Sequence, residues 1–504
     1  MSRSKRAFYG LFTSFLGFGV QMALQVVIVP YVIKIAGKDT LGAYSIIMQI
    51  IGYGLLLDLG FSASLGRFLS HSFAFDDNGI RFNNTFNIGR TFLLVINFLI
   101  GIIICTTSFF IGDLITAESY TIHEMEISMI LLGVWTILKT PFALYSVALN
   151  ASQNMSIVNI VTIFSGLSRF LLSILLVYIG MGLTGMVIAF IISEVISLFV
   201  NRYFFLKNFK HHKAKWAISD KKLFKEIFDF GIKYWGVNLA VVIYYSSDSI
   251  IVGHLFGAAA ASIYYVTKTP SYFAYQLIFK LSDNIGPAAN ELFAKSEYEA
   301  IKSMYIKLLK YSLILVLPLA LGIIGFNKFV ISIWTSEEQY GGDLMTYAIA
   351  CYVIIEVINH INAMVLVVSG KMNGWAKNSV VQGALGIALA FVFGKLMGLP
   401  GIMLGLVVSS FPMFIFLIHK TLPIVNLNLI VIFKKTLMPI IISIIPLIFF
   451  VILIKIGAFS FINEFNSVYQ IIIFLLIWVF CTYFISVDKQ DKVWFYTLFR
   501  TSRY

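Results

Sequence analysis

The chain has 504 residues, of which 59% are hydrophobic and 12% charged, with a formal net charge of +13 and a mean hydropathy of +0.89. Soluble domains carry about 25% charged residues, so this balance excludes a soluble globule and places the chain in the membrane class. The positive charge does not call for nucleic acid: with a cytoplasmic amino terminus and alternating spans, about 27 Lys and Arg fall inside and about 5 outside, while Glu118, Glu124, Glu126, Glu337, Glu338 and Asp343 fall on outer turns.

A helix needs about 20 mostly apolar residues to cross a bilayer, and about 14 such runs follow one another. They cover roughly residues 8–35, 41–68, 89–112, 127–150, 156–179, 186–206, 230–256, 262–289, 309–334, 344–369, 379–398, 402–420, 436–456 and 468–486. The amino terminus is basic (Arg3, Lys5, Arg6), as in a signal peptide, but the run after it is far too long for one and is expected to stay as the first span. An even number of spans leaves both termini in the cytoplasm. Gln21 and Gln25, at i and i+4, form a polar stripe suited to sugars or to another helix. Pro30, Pro141, Pro270 and Pro318 fall inside spans, where each removes a backbone hydrogen bond and can bend the helix. Cys105, Cys351 and Cys481 lie in apolar runs and read as packing residues, so no metal and no cofactor is expected.

The longest inner loop, residues 208–228, starts basic and continues Ser219-Asp220-Lys221-Lys222-Leu223-Phe224-Lys225-Glu226-Ile227-Phe228. Ser219 as N-cap, with Leu223, Phe224, Ile227 and Phe228 on one face, predicts a short helix on the inner leaflet with its lysines near anionic lipid; a solvated loop is the competing reading. A second such helix is expected over residues 297–310. Between these two lies the stretch with the most misplaced charge. One run carries Lys233, Asn238, Asp248 and His254; after a small-residue turn at Gly257, the next carries Lys268, Pro270, Lys280 and Asp283. Each ionisable residue at the bilayer centre costs roughly 2.5–3.5 kcal/mol, and such residues face a bundle interior or a wet cavity. A transport pathway is the expectation.

An internal repeat supports it. At an offset of 220, Val32, Gly37, Tyr44, Ser62, Gly66, Phe73 and Ala74 match Val252, Gly257, Tyr264, Ser282, Gly286, Phe293 and Ala294; at 216, Gly182-Leu183-Thr184-Gly185 matches Gly398-Leu399-Pro400-Gly401. Such a shift spans six helices, an even number, so the halves share one orientation. The expected fold is all-α and integral to the membrane: about 14 transmembrane helices, in two parallel six-helix lobes around a central cavity plus two C-terminal helices. The boundaries are an N-terminal lobe over 1–206, a basic linker over 207–228, a C-terminal lobe over 229–420, and two extra helices with a basic tail over 421–504.

Gly54-Leu55-Leu56-Leu57-Asp58-Leu59-Gly60-Phe61-Ser62 resembles the second-helix signature of bacterial polysaccharide flippases. Ser247-Asp248-Ser249-Ile250-Ile251-Val252-Gly253, followed by Gly257 and Tyr264, resembles their seventh and eighth helices, and Gly370-Lys371-Met372 is in keeping. The resemblance covers nearly the whole chain and extends to the multidrug, oligosaccharidyl-lipid and polysaccharide exporter superfamily. It implies a transporter, not an enzyme, of the bacterial inner membrane. The implied cargo is an undecaprenyl-diphosphate-linked oligosaccharide such as an O-antigen repeat, moved from the inner to the outer leaflet.

A charged head cannot cross hydrocarbon unaided, so such a carrier needs cations for the diphosphate and polar or aromatic groups for sugars. The candidate cations are Lys280, Lys268, Lys139 and Arg169, with Arg67 at the inner end of the second span; Lys280 comes first. Its competing role is pairing with Asp283, three residues on. Asp58, Asp248 and Asp283 are the candidate cavity acids, and Asp248 and Asp58 either pair with lysines or bond between helices. Glu356 and His360, at i and i+4 beside Asn359 and Asn362, are a candidate proton-coupling site or else a polar packing knot; sodium is the other coupling ion to consider. Membrane lipids are the expected surroundings, nucleic acid is not an expected partner, and a monomer suffices. A cation-coupled multidrug antiporter would want an acid-lined pocket with few bases, and a glycan polymerase or glycosyltransferase a large outer loop. The outer turns here are short.

Overall fold

The computed structural model describes residues 3–54, 61–72, 79–152, 154–209, 215–216, 220–232, 247–458 and 467–487, and every regular element among them is helical. The helices are α1 (Arg3–Ala36), α2 (Lys38–Gly54), α3 (Phe61–Ser72), α4 (Ile80–Ser108), α5 (Ser119–Leu138), α6 (Thr140–Ala151), α7 (Met155–Tyr178) and α8 (Gly182–Asn208). There follow α9 (residues 221–232), α10 (Asp248–Phe256), α11 (Ala258–Ala294), α12 (Tyr298–Trp334) and α13 (Asp343–Ser369). The last four are α14 (Trp375–Met397), α15 (Leu399–Ile424), α16 (Met438–Lys455) and α17 (Ser467–Cys481). Among the described residues, 11 helices are long and apolar enough to cross a membrane. The chain is a multi-pass membrane protein.

Three expectations about elements need correction. The run 127–150 is not one helix: the ladder is interrupted at Lys139, where α5 ends and α6 begins with Pro141 in its first turn. Proline lacks an N–H and crowds the carbonyl four residues back, so the chain resets there, with Phe142 N–H bonding to Lys139 O at 3.0 Å. Residues 297–310 do not lie on the membrane as a separate helix; from Tyr298 they are the first turns of the 37-residue α12. The linker helix α9 exists, but its apolar face is turned onto protein. Leu223 and Ile227 are buried in a cluster with Phe61, Phe82, Phe86, Tyr145 and Phe205, and Phe224 and Phe228 lie 5.7 and 5.9 Å from the Phe92 ring. Its cap is Asp220, which accepts from Leu223 N–H at 2.9 Å; Ser219 lies outside the described residues.

The chain forms two compact units, residues 1–265 and 266–504. The division falls later than the 228/229 boundary read from the repeat because α10 packs on α2 within unit 1. In that unit α7 packs against α1 and α8, and α4 against α5. The α4–α5 crossing is close because both helices offer glycine: a Cβ on Gly101 would stand 2.6 Å from Gly133 O. In unit 2, α15 packs against α13 and α14, and α12 against α13. The two terminal helices lean on α12, where Phe326, Leu447, Phe450, Val451 and Phe474 form a common core and Trp478 Nε1 donates to Ile314 O at 3.2 Å.

Candidate functional site

Unit 1 contains a cavity of about 370 Å³, walled by α1, α2, α7, α8 and the starts of α10 and α11. Its polar lining is Gln21, Gln25, Tyr44, Ser45, Gln49, Arg169, Ser173, Ser249 and Tyr265. Arg169 is the one formally charged group among the described lining residues. Its Nη2 donates to Gln21 Oε1 at 3.5 Å, while Gln21 Nε2 donates to Thr162 O at 3.4 Å. One turn along α1, Gln25 Nε2 bonds the Tyr265 hydroxyl. The polar stripe of α1 therefore meets both α7 and α11.

The opposite wall is built on Gln49. Its Nε2 donates to Asp248 Oδ1 at 2.6 Å and to Ser249 Oγ at 3.0 Å. Its Oε1 accepts the backbone N–H groups of Ser249 and Ile250 at 2.9 and 3.3 Å. The amide thus satisfies orphan donors at the N-terminus of α10, where a carboxylate such as Asp248 is also favourable. Asp248 is 1% exposed, and its Oδ1 accepts Ser249 N–H at 2.9 Å. Gln49 is absent from the sequence candidates. Its signal was the four-residue spacing of Ser45, Gln49 and Tyr53, which puts three polar groups on one face of α2.

The other candidates fall in different places. Lys139 Nζ lies 3.9 Å from Glu194 Oε2, an oxygen that also accepts Trp135 Nε1 at 2.6 Å. Arg67 is exposed, its Cζ 4.5 Å from the Phe230 ring centroid. Asp58 lies outside the described residues, as do Lys233 and Asn238. Lys268 and Lys280 are half-buried on α11 in unit 2. Asp283 accepts from, or pairs with, His360 Nε2 at 2.8 Å, and the His360 ring stacks on Phe279 with centroids 3.9 Å apart. Glu356, expected beside His360, is instead 3% exposed and accepts Ser410 Oγ at 3.2 Å. The two groups of the expected coupling pair are drawn to different neighbours, α15 for Glu356 and α11 for His360. Next to them Tyr305 donates to Asn362 Oδ1 at 2.9 Å.

Among solved structures, the fold is similar to that of the lipid II flippase MurJ in an inward closed conformation, with a TM-score of 0.67, 14% identity, and coverage of 94% of this chain and 97% of that one. It is also similar to an inward-facing multidrug resistance transporter of the MATE family in the MOP superfamily, with a TM-score of 0.63, 13% identity, and coverage of 82% and 99%. A Shigella flexneri protein described as a candidate O-antigen transporter is 22% identical over 346 residues, 67% of this chain and 78% of its own length. The family model described as "Polysaccharide biosynthesis protein" matches residues 37–340. That match takes in α2 and the cavity walls on α7, α8 and α10, and it covers more than half of the chain, which therefore belongs to the polysaccharide biosynthesis protein family.

Proposed function

We propose that this protein is a flippase that moves undecaprenyl-diphosphate-linked oligosaccharides, such as O-antigen repeat units, from the inner to the outer leaflet of the bacterial cytoplasmic membrane. It works by alternating access and leaves the cargo chemically unchanged. Membership of a polysaccharide biosynthesis family supports this reading, as do the transporter described in Shigella flexneri and the flippase fold. The observation that carries it is the polarity of the unit 1 cavity: one guanidinium, three amides, hydroxyls, and no carboxylate among the described lining residues. A diphosphate is anionic and a sugar offers hydroxyl groups, so cationic and neutral hydrogen-bonding groups suit both. A volume of about 370 Å³ is in the range of small-ligand pockets, about 300–1,000 Å³, which suits a head group and not an entire glycan. A cationic drug would want acids in that lining.

In this reading Arg169 is the first contact of the diphosphate, and Lys280 and Lys268 supply cations in unit 2. The Asp283–His360 pair, with His360 Nε2 2.8 Å from Asp283 Oδ1, is the proposed proton-coupling group. The test is reconstitution. Purified protein in liposomes should carry a labelled undecaprenyl-diphosphate oligosaccharide between leaflets at unaltered mass, and Arg169→Gln should slow this about ten-fold, the scale of one lost charge-assisted bond. A product of different mass would mean an enzyme; native rates in Arg169→Gln would remove the cavity from the path.

A further inference from the structure

At the end of unit 1 that carries the linker, four cations lie on aromatic rings. Arg90 Cζ is 3.7 Å from the Trp216 ring centroid and Arg67 Cζ 4.5 Å from Phe230. Arg202 Cζ is 5.5 Å from Phe142, and Lys207 Nζ is 6.0 Å from Tyr203. Elsewhere, several surface lysines find acids, Lys295 with Glu291 at 2.5 Å, Lys328 with Glu337 at 2.6 Å and Lys455 with Asp343 at 2.8 Å, while Lys395 and Lys420 lie on Phe391 and Phe416. The Lys328 ammonium holds the Glu337 carboxyl below its usual range. None of the four ring-bound cations has a carboxylate partner among the described residues.

Arg90 is the most constrained of the four. Its Nε is buried and has no hydrogen-bond partner among the described residues, although a guanidinium presents five N–H donors in a fixed fork. The positive charge of Arg202 bears on it as well. Rings attract a guanidinium but do not neutralise it, so two like charges, Arg90 on Trp216 and Arg202 on Phe142, have no carboxylate counter-ion among the described residues. Nor is Trp216 placed by chance. The neighbouring Lys215 N–H donates to Asn87 Oδ1 at 2.6 Å, tying the linker backbone to α4 three residues from Arg90. A guanidinium with an unused donor beneath this ring, with a second cation bearing on it, fits a tetrahedral anion with several acceptor oxygens.

We infer that Arg90, covered by Trp216, binds a phosphate ester at the inner membrane surface with the help of the Arg202 charge. The ester comes either from an anionic phospholipid head group or from the diphosphate of a polyprenyl lipid, and the site stands whether or not the chain transports oligosaccharides. Full-length protein in maltoside micelles is titrated with short-chain phosphatidylglycerol, with undecaprenyl diphosphate, and with phosphate-free diacylglycerol. The readout is the fluorescence difference between the native protein and Trp216→Phe, which isolates the ring over Arg90. A saturable change is expected with at least one phosphate lipid and none with diacylglycerol, with affinity about ten-fold weaker in Arg90→Gln and in Arg202→Gln. Response to phosphatidylglycerol alone assigns the site to membrane lipid, and response to undecaprenyl diphosphate alone to the polyprenyl carrier. If Arg90→Gln lowers the melting temperature, Arg90→Lys, which keeps the charge but loses the fork, takes its place and should bind more weakly than native. No Trp216-specific change with either phosphate lipid, or native affinity in the stable arginine variants, overturns the inference.

Discussion

A Cβ built on Gly166 would stand 2.2 Å from Gln21 Nε2, so the bare backbone of α7 is what lets Gln21 reach Arg169. The obstructing atom is the far end of a flexible side chain. Gly166→Ala should therefore leave melting temperature nearly unchanged while turning Gln21 away, and translocation should fall; a normal rate in liposomes would show that Gln21 does not hold Arg169 in a working pose. At this scale the sequence revealed groups that are costly in lipid but seldom their partners. Arg169, Gln21 and Gln25 stood out because each is rare in an apolar run, and all three line the cavity. Asp283 also stood out, yet the partner named from its own helix was Lys280, whereas the structure bonds it to His360, on another helix. Gln49 passed unnoticed because its bonds go to residues about 200 positions away, and periodicity within one helix cannot report such a pairing.

Gly37 and Gly257, matched by the internal repeat, have φ of 86° and 87°, and each stands immediately before a helix, α2 or α11. That conformation is open to glycine at little cost, so the repeat here preserved a backbone shape. The second turn is crowded as well: a Cβ on Gly42 would meet Ala258 O at 1.7 Å. Backbone cannot step aside as a glutamine does. Gly42→Ala should destabilise unit 1 by about 1–3 kcal/mol, the usual cost of overpacking, visible as a lower melting temperature in detergent; an unchanged midpoint would mean that α2 and α11 separate freely. Span positions were legible to within a few residues for most of the long helices, such as α7 and α13, because hydropathy tracks burial in lipid. It does not track hydrogen-bond continuity, so the reset at Lys139 and the extension of α12 back to Tyr298 were missed. For α9 the apolar face was legible, but the aromatic cluster covering it is assembled from α3, α4, α6 and α8.

For the whole molecule, the distribution of Lys and Arg supports the proposed orientation with both termini in the cytoplasm. In a cysteine-free background, an impermeant maleimide should label Ser336→Cys, in the turn between α12 and α13, on intact cells. Lys222→Cys on α9 should react only once the membrane is opened; the reverse pattern would invert the topology. An all-α, multi-span architecture was legible from composition alone, since only helices or closed barrels satisfy backbone groups in lipid. The cavity was legible only as a requirement. Its volume and its walls depend on how α1, α2, α7 and α8 lean against the starts of α10 and α11, and hydropathy carries no record of that.

A carrier must let go of what it holds. With Arg169 the one positive charge among the described lining residues and neutral amides and hydroxyls around it, most bonds to the proposed head group would be ones that water replaces almost isoenergetically. A denser array of cations would grip a diphosphate harder and discharge it more slowly. Under the proposed function, the sparse charge of this chamber favours turnover over tight retention.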